Sequence, residues 1–140
     1  KKIVKSRDEA FTDLLNNDSP YYVSHFAPTP EDAIRAIRAA GGVAVIAHPF
    51  ASRRGQTLNP DSFTSLVEAG LNGIEVYHRD QNEEERAQLI TVARALDLAI
   101  TGSSDYHGTG KLNQLGENTT AQAEWEHLES MADQRRVITR

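Results

Sequence analysis

The stretch Gly41-Gly42-Val43-Ala44-Val45-Ile46-Ala47-His48-Pro49 decides how the chain is read. Its apolar run, Val43 to Ala47, shows no polar alternation, the pattern of a strand buried on both faces in a parallel sheet. Pro49 lacks a backbone N–H and ends a hydrogen-bonded ladder, which fixes His48 at the strand's C-terminal tip. The paired glycines stop a preceding helix. That helix opens at Thr29-Pro30-Glu31-Asp32, with a capping hydroxyl, a proline at the first helical position and acids in the first turn. Ala33, Ile34, Ile37 and Ala40 make its apolar stripe.

Downstream the same unit recurs twice. Asn59-Pro60-Asp61 starts a helix with Phe63, Leu66 and Val67 facing inward and Gly70 capping it; Gly73-Ile74-Glu75-Val76-Tyr77 is the next strand, with His78 at its end. Asn82-Glu83-Glu84-Glu85 has capping-box form. Leu89, Ala93 and Leu96 follow as a core stripe, and the strand Leu98 to Thr101 runs into Gly102-Ser103-Ser104-Asp105-Tyr106-His107-Gly108. Flanking glycines allow the backbone to turn there and leave room for a close approach. If strand geometry continues through Asp105 and His107, both side chains point to one side.

Three successive helix-strand units predict an α/β fold with a parallel sheet and flanking helices. In such sheets ligands bind beyond the carboxyl ends of the strands, where His48, His78, Asp105 and His107 all lie. The ends of the chain are simpler. Ser6-Arg7-Asp8-Glu9 starts a short helix carrying Phe11, Leu14 and Leu15 on one face, Tyr21-Tyr22-Val23 reads as a short extended piece, and His25 as a loop histidine. Thr119-Thr120 is expected to cap a last helix whose buried face carries Trp125, Leu128 and Met131; His127 reads as structural, and Arg135 and Arg136 as a solvated tail.

Composition narrows the function. At 140 residues, with 39% hydrophobic and 25% charged residues, the chain has the balance of one globular domain. No apolar run approaches the ~18 residues of a membrane span, so no membrane partner is expected. A net charge of -5 argues against a duplex-binding module with a broad basic face. Without cysteine, any metal must be held by nitrogen and oxygen from the five histidines and twenty acidic residues. Such ligands suit zinc, manganese or iron, ions that polarise phosphate esters and activate water. The Ser52-Arg53-Arg54-Gly55 loop after His48 offers a guanidinium for a phosphate oxygen. Gly108-Thr109-Gly110-Lys111 mimics the tail of a nucleotide-binding loop but fails as one, because Leu112 stands where Ser or Thr is needed and Asp105 where the first glycine should be.

Ala40 to Pro49, Gly73-Ile74-Glu75-Val76, Gly102 to Gly108, and Leu115-Gly116 with Thr119-Thr120 together resemble the C-terminal half of the PHP (polymerase and histidinol phosphatase) family, in its TrpH-like branch of metal-dependent phosphoesterases. The resemblance implies the C-terminal part of a distorted (β/α)7 barrel, with residues 1–140 forming a single partial PHP domain. It implies hydrolysis of phosphate monoesters of nucleotides, such as nucleoside 3',5'-bisphosphates or RNA 5' ends, by metal-activated water in the cytoplasm. It further implies up to three divalent ions (manganese, zinc, iron or magnesium), with His48, Asp105 and His107 as ligands to different ions and Arg53 or Arg54, His78 and Lys111 near the substrate phosphate. The family's opening ligands have no counterpart here, so this chain by itself is expected to be metal-poor and inactive. Three or four parallel strands cannot close a barrel. The expected partners are therefore the missing N-terminal half of the same protein or, through the exposed sheet edge, a second copy. Two other readings are a non-catalytic PHP-like structural or interaction module and a metal-dependent amidohydrolase, which leaves the basic loop after His48 without a use.

Overall fold

The computed structural model describes residues 3–24, 26–55 and 57–133, so His25, Arg135 and Arg136 lie outside the described residues. The elements follow in the order α1 (Arg7–Asp13), α2 (Pro30–Ala39), β1 (Val45–Ile46), α3 (Ser62–Glu68), β2 (Gly73–Tyr77), α4 (Glu83–Ala95), β3 (Ala99–Gly102) and α5 (Gln122–Ser130). The three strands are parallel in the order β1-β2-β3, with Val45 opposite Gly73 and Ile74 opposite Ile100. Consecutive right-handed crossovers that advance in one direction place α3 and α4 on the same side of the sheet.

Packing agrees with that topology. Ile34 of α2, Phe63 and Leu66 of α3, Leu89 and Ala93 of α4, and Ile74 and Val76 of β2 share one buried core, into which Phe50 inserts with its ring 6.0 Å from that of Phe63. The opposite face carries Gly73, Glu75 and Tyr77. It is covered at its start, where a Cβ on Gly73 would lie 3.4 Å from Leu128 of α5. Further along, Val45 is 38% and Tyr77 39% exposed. The expectation of a first strand buried on both faces is therefore not met: β1 is a two-residue edge strand, since among the described residues helices shield mainly one side of the sheet.

Local chemistry explains the helix starts. Ser6, Thr29 and Asn82 each accept a backbone N–H from the third residue of the following helix, and Glu85 returns the bond to Asn82 in a full capping box. Thr120 departs from expectation. Its hydroxyl accepts the Gly102 N–H at 3.1 Å, so Ala121 stands at the start of α5 without a side-chain cap. Trp125 departs as well, being 54% exposed. Glu124 takes the inward position, accepting the Ile100 N–H at 2.9 Å and pairing with Arg94 at 2.6 Å, because a strand-edge N–H needs an acceptor more than the core needs another ring. The α1 helix buries none of its residues, Ile37 of α2 is 43% exposed, and Tyr21-Tyr22-Val23 forms no strand. Among the described residues, no helix is long and apolar enough to cross a membrane.

Candidate functional site

Three loops at the carboxyl ends of the strands build the site. The first leaves β1, turns at His48 with φ +31°, and forms a single 3-10 turn over Ser52–Arg54. The second carries His78, Arg79 and Asp80 after β2. The third turns at Asp105 with φ +50° and continues through His107 to Lys111. Positive φ is uncommon outside glycine and costs energy that the surrounding structure must offset. Two of the three described non-glycine residues that adopt it are His48 and Asp105.

Buried amides hold the loops in place. The side chain of Gln81, 2% exposed, donates to the Glu75 and Val76 carbonyls at 3.1 and 2.6 Å and accepts the Phe50 N–H at 3.0 Å, locking the first loop to the end of β2. Asn113 donates to the Ser104 and Asp105 carbonyls at 2.7 and 3.3 Å and receives Arg79 at 2.8 Å. Sequence reading missed both. Nothing in a lone Gln or Asn within a polar loop marks it as a buried clamp.

The structure brings His48, His78 and Asp105 together. The rings of His48 and His78 lie 4.7 Å apart, and His78 Nε2 is 3.6 Å from Asp105 Oδ2. Arg54 spans the group, with Nη2 at 2.7 Å from Asp105 Oδ2, Nη1 at 3.3 Å from His48 Nε2 and Nε at 2.6 Å from Asp80. Lys111 Nζ reaches the same Asp105 oxygen at 2.6 Å. Between Arg54, Arg79, Asp80, Lys111 and Asn113 lies an open cleft of about 320 Å³. Of the two adjacent arginines, Arg54 is the one that meets His48, Asp80 and Asp105, whereas the charge of Arg53 acts on Glu85. His107 remains half-exposed, its Nδ1 2.7 Å from the Asp105 carbonyl. Strand geometry does not continue through this turn, because β3 ends at Gly102. Nor does Gly102 leave room for a ligand, since a Cβ there would lie 2.6 Å from the Thr119 carbonyl.

Hydrogen-bond partners sort the three imidazoles. A guanidinium only donates, so His48 Nε2 presents a lone pair; a carbonyl only accepts, so His107 Nδ1 carries its proton and, in the neutral ring, leaves Nε2 free. His78 is the reverse. Its Nδ1 accepts the Asp80 N–H at 3.1 Å, which puts the ring proton on the buried Nε2, itself without a hydrogen-bond partner. His48 and His107 thus each keep an Nε2 lone pair, whereas His78 keeps an Nε2–H.

Electrostatics follow the same arrangement. Hydrogen bonds from Lys111 and then Arg54 hold the Asp105 carboxyl well below the usual carboxylate range, although burial opposes them. Asp105 in turn raises Arg54. For Asp80 burial pushes upward, but the Arg54 guanidinium outweighs it and the net direction is down. Burial first, with the neighbouring His48 ring and the Arg54 guanidinium adding to it, pushes His78 down and favours its neutral form. Glu75, 9% exposed with Oε1 unpartnered, is pushed up to about 7 by burial and by the Asp105 charge.

These donors suit a divalent ion in kind: two imidazole lone pairs and a carboxylate at one sheet edge. In placement they do not make one site. Among the described residues no three His, Asp or Glu side chains form a metal-holding group by themselves.

No family model matches the chain. It is 41% identical over 86 residues to the phosphoribosyl 1,2-cyclic phosphate 1,2-diphosphodiesterase of Eggerthella lenta, covering 61% of this chain and 31% of that protein. It is 34% identical over 108 residues to the 3',5'-nucleoside bisphosphate phosphatase of Chromobacterium violaceum, covering 77% of this chain and 38% of that protein. Among solved structures, a protein of Bifidobacterium adolescentis described as a candidate metal-dependent phosphoesterase superposes with a TM-score of 0.85 at 35% identity, over 94% of this chain and 46% of that one. The chain thus spans between 31% and 46% of the length of these relatives. In sequence and in backbone the chain is thus similar to part of these phosphodiesterases, phosphatases and metal-dependent phosphoesterases.

Proposed function

We propose that the chain carries the strand-tip part of the active centre of a metal-dependent phosphoesterase, and that the whole enzyme hydrolyses phosphate monoesters of nucleotides in the cytoplasm. Nucleoside 3',5'-bisphosphates are the favoured substrates, with RNA 5' ends as a related class. One observation carries this reading: Arg54 and Lys111 converge with His48, His78 and Asp105 on one sheet edge, beside an open cleft.

In this reading His48, Asp105 and His107 contribute ligands to as many as three divalent ions (manganese, zinc, iron or magnesium) and share them with ligands from the rest of the enzyme. Bound ions would polarise the phosphoester and lower the pKa of the attacking water. The chain's own residues bind and orient. Arg54 and Lys111 offer charge-assisted hydrogen bonds to phosphate oxygens, and the buried His78 stands behind Asp105, its Nε2 3.6 Å from Oδ2. Asp80 aims the Arg54 fork at the cleft. The partly open end of the second sheet face, at Val45 and Tyr77, and the outer edge of β1 are where the rest of the enzyme, or a second copy, would pack.

Asp105→Asn tests the assignment, since Asn tolerates the left-handed backbone while losing the charge. Turnover of a 3',5'-bisphosphate by the whole enzyme is expected to fall at least about 100-fold. Unchanged turnover would remove Asp105 from the site. Absence of metal-stimulated turnover in the unaltered enzyme would favour the non-catalytic module instead.

A further inference from the structure

Three cations line the cleft beyond the strand tips, and they fall into two groups. Arg54 Nη2 and Lys111 Nζ both meet Asp105 Oδ2, at 2.7 and 2.6 Å, so their charge is gathered around that carboxylate. Arg79 stands apart. Its Nη1 donates to Asn113 Oδ1 at 2.8 Å, and among the described residues it makes no hydrogen bond to His48, His78 or Asp105. Asn113 is 7% exposed, and its amide donates in turn to the Ser104 and Asp105 carbonyls. A buried, doubly anchored amide therefore holds the Arg79 guanidinium at a fixed remove from the Asp105 backbone.

Arg79 also has the least of its charge committed. Arg54 pairs with Asp80 at 2.6 Å and with Asp105 at 2.7 Å, and Lys111 with Asp105 at 2.6 Å. The ion pair of Arg79 is with Glu117, 3.8 Å from Nε and beyond hydrogen-bond reach, and Nη2 has no hydrogen-bond partner among the described residues. Asp80, next to it in the chain and also lining the cleft, is taken by Arg54. Such a guanidinium takes a phosphate oxygen without giving up a close ion pair. At about 320 Å³ the cleft falls within the range of small-molecule sites, with room for more than one phosphate group. We propose that Arg79 is a specificity-determining residue: it grips the phosphate that is not hydrolysed, while Arg54 and Lys111 serve the one at the strand tips, so that a ligand with two phosphates is preferred to a ligand with one. The assignment rests on the reading of this cleft as the place where substrate phosphate enters.

The test needs no metal. With a chelator present, the chain is titrated with adenosine 3',5'-bisphosphate and, separately, with adenosine 5'-monophosphate, and each Kd is read from the shifts of backbone amide and Arg Nε–H signals in NMR spectra. The bisphosphate is expected to bind about tenfold more tightly, the worth of one charge-assisted grip. Arg79→Gln is expected to bring that ratio below about twofold and to change the monophosphate Kd by less than about twofold. Arg79→Lys, which keeps the charge and loses the fork, should retain part of the preference. Arg35→Gln removes the same unit of charge from α2, outside the cleft, and should leave both constants within about twofold. Equal affinities for the two ligands in the wild type, or equal weakening of both by Arg79→Gln, overturn the proposal. Lys111→Gln separates the two layers. If it leaves both affinities unchanged, the reading of the cleft and the role of Arg79 fall together; if it weakens both while Arg79→Gln leaves their ratio intact, only the role of Arg79 falls.

Discussion

At the residue scale, Glu75 and Asp105 respond to acid in opposite directions. Glu75 has an ordinary value near 4.5 that is pushed up to about 7, so between those values the folded state holds a proton that the unfolded chain has released. Its contribution is greatest below 4.5 and is lost as pH rises through 7, a change on the order of 3 kcal/mol. Glu75→Gln is expected to remove that fall, leaving a protein more stable than the wild type at pH 8; urea denaturation from pH 4.5 to 8 checks it. If the two proteins trace parallel curves, the buried carboxyl is not the cause. Asp105, held below its ordinary value by Lys111 and Arg54, contributes stability above that value and loses it as acid protonates the carboxylate. The two groups thus act in different windows, Asp105 below pH 4 and Glu75 above it.

At the element scale, the site depends on how the loop after β1 is fastened to the end of β2. Gln81 makes that joint with three buried hydrogen bonds, and Arg86 of α4 adds a bond to the His78 carbonyl at 2.7 Å. Gln81→Leu keeps the bulk but strands a buried N–H and two carbonyls, at a cost of about 2–3 kcal/mol. The urea midpoint is expected to fall without a change in slope, and exchange of the Phe50 amide proton to accelerate more than that of core amides in Ile74 or Val76. Uniform acceleration would mean that Gln81 supports the whole core rather than this one joint.

At the scale of the whole molecule, the described helices cover one face of the sheet more fully than the other. Its second face, shielded by Leu128 at one end, leaves Val45 and Tyr77 partly open, and among the described residues nothing pairs with the outer edge of β1. An unpaired strand edge is a template for another strand. Sedimentation of the 140-residue chain is expected to show self-association rising with concentration, weakened by Val45→Lys, which puts a charge on that face. A monomer at every concentration, unaltered by the substitution, would show that the edge is protected in some other way.

The succession of helix and strand, the capping of α1, α2 and α4, and the arrival of His48, His78 and Asp105 at one edge were all legible in the sequence, because periodicity, caps and chain-breaking prolines act over a few neighbouring residues. The partners of those side chains were not. Arg54 and Asp105 are 51 residues apart, and which of two adjacent arginines reaches the carboxylate depends on how a 3-10 turn packs against a distant loop. The outward turn of Trp125, the exposure of β1 and the buried roles of Gln81 and Asn113 have the same origin. Each follows from which backbone groups lack partners once the layers meet, and only the assembled layers decide that.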